Sequence, residues 1–252
     1  MALIEAMRIT ILICASAPLL YSFCMINFGR IPMCIVPFDP PPPALAWLWN
    51  DTAPPAWSRA RVAVVDRHIL LSGDTIRQRP GATTRRLPAG TQVTPVVHVE
   101  LDLLRPAASL RVASPVIIKA IDSAARATTS GWVQLDLEAR PSQRDDYRAL
   151  VQDIRRMLPP KVKLSVTALA WWCRSPAWLD GMPADEVVPM FFKMGRDGQA
   201  LRTIIAQQPS SLHRLCRSGS AGFSPQEPFE RKVVARYAHT YWFDYHGWKK
   251  AK

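Results

Sequence analysis

From about Arg61 onward, short runs rich in β-branched residues take turns with stretches of helical periodicity, and this alternation narrows the available folds more than any other feature. Period-two runs present one buried face as strands, whereas apolar residues recurring every three or four places mark helices. Residues 61–66 and 92–101 read as strands, and Ser114-Pro115 as the start of a helix to about residue 127, since proline suits the first helical position. Residues 132–138 are the next strand. After Ser142, a helix carries Tyr147, Leu150, Val151, Ile154 and Leu158 at helical spacing and stops at Pro159-Pro160. Strands over 161–169 and 186–192, a helix over 198–207, and strands within 218–224 and 234–243 complete the series, with room for an eighth strand in 68–86. Strands alternating with helices argue a parallel α/β sheet. The expectation is a compact (β/α)8 TIM-type barrel, with room for degenerate or missing elements. A doubly wound sheet fits less well, because no Gly-rich nucleotide loop follows the first strand.

The chain ahead of this domain has a different character. Residues 9–28 contain no charged side chain and follow Met7-Arg8, so 1–30 reads as a signal peptide or a membrane anchor. Ala15-Ser16-Ala17 offers a cleavage site, yet the apolar run continues past it, and both outcomes stay open. Residues 31–58 read as a Pro-rich linker, since Pro37 to Pro43 and Pro54-Pro55 suit neither helix interior nor central strand. Trp47, Trp49 and Trp57 within it are expected to pack on the domain edge. The barrel is assigned to 59–252. Export, to the periplasm or anchored to the inner membrane, is the expected localisation.

Hydrophobic residues make up 48% of the 252, which supports a sizeable core and excludes global disorder. The net charge of +12 suits a nucleic acid, an anionic membrane or a polyanionic envelope polymer. No nucleic-acid recognition motif accompanies it, and the export signal argues against such a partner, so none is expected. Cys14, Cys24 and Cys34 lie in or beside the leader, leaving Cys173 and Cys216 in the domain, where two buried thiols are expected rather than a bridge. There is no G-x-S-x-G elbow, G-x-x-x-x-G-K loop or H-E-x-x-H helix. No metal site and no cofactor are expected.

The chemistry concentrates in Val133-Gln134-Leu135-Asp136-Leu137-Glu138. Alternation places Gln134, Asp136 and Glu138 on one face of the strand, successive carboxylates roughly 6–7 Å apart at Cβ. Neighbouring carboxylates disfavour joint ionisation, which raises one toward the range of a general acid. Active sites of barrels gather at the C-terminal strand ends, where Asp136 and Glu138 fall. Gln134, one step deeper, is placed to orient Asp136. His98 and Glu100 form a similar same-face pair on the preceding strand and are candidate substrate contacts. Trp171 and Trp172 are candidates for a sugar-stacking platform, with Tyr241 contributing from the last strand and Lys193 from the rim.

The strand Val133-Gln134-Leu135-Asp136, with Leu158-Pro159-Pro160, Leu164-Ser165-Val166-Thr167-Ala168-Leu169, Val188-Pro189-Met190 through Met194-Gly195, and Cys216 with Gly222-Phe223-Ser224-Pro225-Gln226-Glu227-Pro228, resembles an uncharacterised bacterial family, domain of unknown function 3142. That resemblance carries no activity. More distantly, Gln134-Leu135-Asp136-Leu137-Glu138 is similar to the D-x-D-x-E strand of chitinase-like, family-18 glycoside hydrolases, with Gln134 in place of the first Asp. The second likeness implies Glu138 as general acid, and Asp136 as the group that orients a substrate acetamide serving as nucleophile. The expectation is therefore a glycoside hydrolase-like protein acting on an envelope or extracellular glycan. A non-catalytic glycan- or envelope-binding protein on the same scaffold is the alternative. The two separate on whether Glu138 faces an open cleft or is salt-bridged to an arginine such as Arg140.

Overall fold

The computed structural model describes residues 40, 43–49, 52–82, 87–105, 109–246 and 248. The leader over 1–30 and the linker as far as residue 39 lie outside the described residues. Nine strands form one sheet: β1 (Ala44–Leu48), β2 (Arg61–Ser72), β3 (Thr75–Pro80), β4 (Gln92–Leu101), β5 (Trp132–Leu137), β6 (Lys163–Leu169), β7 (Glu186–Met190), β8 (Ser220–Phe223) and β9 (His239–Trp242). All but β3 are parallel to their neighbours in the order β1-β9-β8-β7-β6-β5-β4-β2, and β1 also pairs with β2, which closes an eight-stranded barrel. The helices between strands are α1 (Leu110–Ala127), α2 (Arg144–Met157), α3 (Pro176–Leu179), α4 (Gly198–Gln207) and α5 (Arg231–Val234). The TIM-type barrel is thus present, with α3 and α5 reduced to about a turn each. Among the described residues no helix is long and apolar enough to cross a membrane.

The first barrel strand lies inside the stretch read as linker. Ala44–Leu48 is apolar throughout and four of its five residues are buried, as expected of a parallel strand covered on both faces. The described part of the stretch 68–86, residues 68–82, supplies no barrel strand of its own. It continues β2 and turns at Gly73 into the antiparallel β3. β2 therefore has one edge on β4 along its length, while its other edge is held by β1 near the base and by β3 near the mouth.

The β2–β4 register shifts between Val65 and Arg67. An extra residue in one strand moves every later side chain to the opposite face. Val65 accordingly packs inside the barrel, Ile69 and Leu71 join the layer under the helices, and His68 turns inward. The returning chain crosses this bulge so closely that a Cβ on Gly81 would lie 1.8 Å from the Val65 carbonyl oxygen, so only glycine fits there.

Most of the apolar core lies between strands and helices, where Ile117 and Ile121 of α1 and Leu150 and Ile154 of α2 cover Leu135 and Leu164. A second cluster of Leu45, Trp47, Val65, Val96, Val188 and Tyr241 fills the barrel interior. α1 begins at Leu110, earlier than Ser114-Pro115: the Ser109 side chain accepts from the Arg111 backbone N–H at 3.0 Å, and Pro115 sits within the second turn. Residues 234–238 are not strand; α5 and a turn occupy them before β9. Cys173 and Cys216 form a disulfide across Cα atoms 5.8 Å apart, not two thiols. Their sequence separation spans α3, β7 and α4, so proximity comes from the barrel closing rather than from local spacing. Closing that 43-residue loop stabilises the fold by about 4 kcal/mol through lost unfolded-state entropy.

Candidate active site

Inward-facing residues of neighbouring strands line up in layers. Val96, Gln134, Ser165 and Glu186 pair across β4 to β7 in the lower layer. One step toward the mouth, His68, His98 and Asp136 pair across β2, β4 and β5, with Thr167 following on β6.

The lower layer is bonded within itself, with Glu186 partly exposed. Gln134, with no exposed surface, accepts from Trp47 Nε1 at 2.7 Å and donates to Ser165 Oγ at 3.0 Å. Ser165 Oγ donates to Glu186 Oε2 at 2.6 Å, the Tyr241 hydroxyl donates to the same oxygen at 2.9 Å, and Ser220 Oγ donates to Glu186 Oε1. Burial and the Glu186 carboxylate hold the Tyr241 hydroxyl well above its usual pKa, so it stays a donor. Gln134 and Tyr241 thus direct their polar groups to protein partners, and Gln134 is bonded to Trp47 and Ser165 rather than to Asp136. The interior of a closed barrel leaves no room for a ligand at that depth.

The upper layer is ionised and directional. Asp136 is 6% exposed, accepting from Thr167 Oγ1 at 2.7 Å and facing His98 Nδ1 at 2.8 Å. Burial alone pushes the Asp136 carboxyl up, but the His98 hydrogen bond and charge, with the Thr167 hydroxyl, outweigh it and hold the group below the usual carboxylate range. Burial likewise pulls the His98 imidazole down, and Asp136, with Glu100 and Glu138, more than reverses it. The pairing thus favours the charged form of both groups, with Nδ1–H donating to the carboxylate. The Trp49 ring meets His98 edge-on at 4.4 Å, so this tryptophan belongs to the mouth and not to an outer edge. His68 lies 5.5 Å from His98 and stays neutral, its pKa lowered to about 4 by burial, Arg79 and His98.

Glu138 follows the last residue of β5 and is exposed at the mouth. Among the described residues no hydrogen bond or ion pair engages its carboxylate; Arg140 turns instead to the Asp102 carbonyl at 3.3 Å. Crowding by the rim, then the charge of Asp136, raise its pKa, while His98 and Lys193 pull the other way. Although its surface is open to solvent, one side faces the low-dielectric barrel wall, which is why burial still leads the causes. Glu100, exposed at the end of β4, adds negative potential on both His98 and Glu138. Lys193 stands on the rim at φ +48°, its backbone N–H donating to Glu227 Oε1 at 3.0 Å and its ammonium 4.6 Å from the Tyr245 ring centre. Tyr245 in turn bonds Glu227.

The two adjacent tryptophans do not form a platform. They lie on a 3-10 turn, where consecutive side chains point about 120° apart. Trp172 is wholly buried and stacked on Trp178 at 4.1 Å, while Trp171 is exposed and edge-on to Trp178. Only Trp171 is available to a ligand. His68, Thr167, Trp49 and Glu186 belong to the interior layers without having been singled out by sequence. Thr167 shares the alternation of its strand, whereas the bulge hides His68 from any period-two reading. Among the described residues no group of three or more His, Cys, Asp or Glu side chains could hold a metal ion.

No family model matches the sequence, so the likeness to domain of unknown function 3142 gains no support there, and no curated protein matches it either. Among solved structures, the chain is similar to a GH18 chitinase from Pseudoalteromonas aurantia, with a TM-score of 0.50 and 11% identity over 74% of this chain and 86% of that one. It is also similar to the spore cortex-lytic enzyme SleL of Bacillus cereus, with a TM-score of 0.46 and 16% identity over 72% of this chain and 50% of that one. At 11% identity, the likeness to the chitinase shows a shared barrel fold.

Proposed function

We propose that this barrel is a glycoside hydrolase acting on an N-acetylated envelope or extracellular glycan, with Glu138 as general acid and Asp136 as the carboxylate that holds the substrate's acetamide. The observation that carries the reading is the split between two same-face carboxylates: Asp136 is held ionised by His98 and Thr167, whereas Glu138, at the mouth, has no partner among the described residues and is raised. Such divergence marks an acid and its partner. Glu138 donates its proton to the glycosidic oxygen as the acetamide oxygen attacks the anomeric carbon and the leaving sugar departs. Water then opens the cyclic intermediate and returns a proton to Glu138. The substrate's own amide replaces the second carboxylate of the usual scheme. An oxidising, exported setting accords with the Cys173–Cys216 bridge and the uncharged run 9–28.

One observation favours the non-catalytic, glycan-binding alternative. Gln134 stands where the resemblance expects a carboxylate, and its bonds run to Trp47 and Ser165, so Asp136 has no acidic partner beneath it. Purified full-length protein and its Glu138→Gln variant, assayed on labelled chitin oligosaccharides and peptidoglycan, separate the readings. Turnover that vanishes in the variant supports hydrolysis; saturable binding without turnover in both supports the alternative.

A further inference from the structure

Beside the His98–Asp136 pair, a cavity of about 170 Å³ opens between β1, the β2–β3 hairpin and the segment after β9. Its walls include Trp47, Trp49, His68, Arg79, Phe243 and Tyr245. The volume falls below the roughly 300 Å³ at which pockets begin to enclose whole drug-sized ligands, so it suits a single substituent or ring. Arg79 is the cross-strand partner of His68, which puts both side chains on the inward face of the hairpin, Cβ atoms about 5 Å apart. Among the described residues no carboxylate pairs with the Arg79 guanidinium. The acidic group of the lining, Asp244, is already engaged, accepting from Gln226 Nε2 at 2.7 Å and from the His246 backbone N–H at 2.9 Å. His68 is neutral and offers one ring nitrogen as donor and the other as acceptor.

We propose that this cavity is a subsite for an acidic sugar, in which Arg79 grips a carboxylate substituent while Trp49 and Tyr245 pack against the ring that bears it. A guanidinium that no carboxylate pairs among the described residues, at an aromatic-walled cavity, is matched by a planar anion, which it binds through paired, charge-assisted hydrogen bonds. Arg79 is exposed at the cavity's edge, so an uncharged sugar would leave its charge to solvent alone, whereas an acidic one adds a direct partner. The assignment rests on the glycan reading of the neighbouring carboxylates and narrows it to glycans carrying carboxylated units.

The test measures equilibrium binding, so it does not depend on turnover. Full-length protein is titrated by calorimetry with N-acetylmuramic acid, with N-acetylglucosamine, which lacks only the 3-O-lactyl group, and with D-lactate, the carboxylate without the sugar. The acidic sugar is expected to bind roughly tenfold more tightly than the neutral one, the difference that a hydrogen bond to a charged group makes. That preference should disappear in Arg79→Gln and survive in part in Arg79→Lys, with affinity for the neutral sugar and the unfolding midpoint unchanged. Equal affinity for the two sugars, or a preference that persists in Arg79→Gln, overturns the subsite and leaves the glycan reading standing. D-lactate binding as tightly as the acidic sugar overturns the sugar-borne assignment in favour of a free organic anion. Failure of both sugars to bind overturns the subsite and the glycan reading together.

Discussion

The two polar layers inside the barrel are built on adjoining strands by the same alternation, yet they do opposite things with their charges. In the lower layer, Glu186 receives hydroxyls from Ser165, Ser220 and Tyr241, and Gln134 is bonded at both ends. In the upper layer, Asp136 is matched by His98 and Thr167, and among the described residues Glu138 has no hydrogen-bond or ion-pair partner. A saturated network fixes strand register and excludes ligands, because every polar group is already satisfied. An unpaired carboxylate at a mouth can exchange a proton with something that is not protein. Depth in the barrel, rather than residue type, separates structural polarity from chemical polarity here.

The comparison breaks most visibly at Glu138. Replacing it with Gln should lower glycan turnover by about a hundred- to ten-thousand-fold, the span that general acid catalysis contributes, while the thermal midpoint stays within a degree or so. Steady-state rates and a melting curve on the same preparation test both halves. Retained turnover would remove the mouth carboxylate from the chemistry. The lower layer predicts the converse. Glu186→Ala strands three hydroxyl donors, so denaturant unfolding should show a loss of about 2–3 kcal/mol, with turnover per folded molecule unchanged. A variant that kept its stability but lost activity would erase the distinction between the layers.

A gentler probe of the same contrast is Gln134→Glu, which keeps the shape and adds a carboxyl to the lower layer. Burial and Glu186 should hold the new group's pKa above the unfolded value of about 4.3. The folded state then keeps a proton that the unfolded chain releases, so the variant loses stability as pH rises from that value through its folded pKa. Urea titrations at pH 4 and pH 7 should place the variant near the wild type at the lower pH and below it at the higher. A pH-independent difference would mean that water reaches the lower layer.

How much of this was legible in the sequence follows from what each element needs from its neighbours. The strand 132–137 announces itself because its apolar face meets α1 and α2 while its polar face looks into the barrel, so the alternation survives in the residues. β1 does not, because it is covered on both faces and carries no alternation, and the flanking prolines read as tether. His68 was hidden by a bulge at Asp66 that no periodicity can anticipate. Trp171-Trp172 looked like one surface, and the tight turn that divides them is a product of packing against Trp178. The acid candidates were readable from side-chain parity alone; their partners required closure of the barrel, which joins residues from strands distant in sequence.

The smallest effect is expected at His98, and it is the most discriminating. His98→Gln retains an N–H that can reach Asp136 but removes the positive charge. Burial then dominates the Asp136 carboxyl and raises its pKa, so the acid limb of the pH–rate profile should move to higher pH. The same charge pulls Glu138 down in the wild type, so the basic limb, where Glu138 gives up its proton, should move upward as well. The whole bell should shift with little loss at its maximum if the substituted residue acts through the orientation and charge of Asp136, whereas a collapse of the maximum would mark a direct substrate contact. Stability carries an independent signature of opposite form. A histidine whose folded pKa is raised stabilises the fold fully below its unfolded value and loses that contribution as pH rises through the folded value. Wild-type protein should therefore weaken over that window and His98→Gln should not. If the bell stays in place while stability changes as described, His98 is a brace for β5 and the charge of Asp136 is set by Thr167 and the strand ends alone.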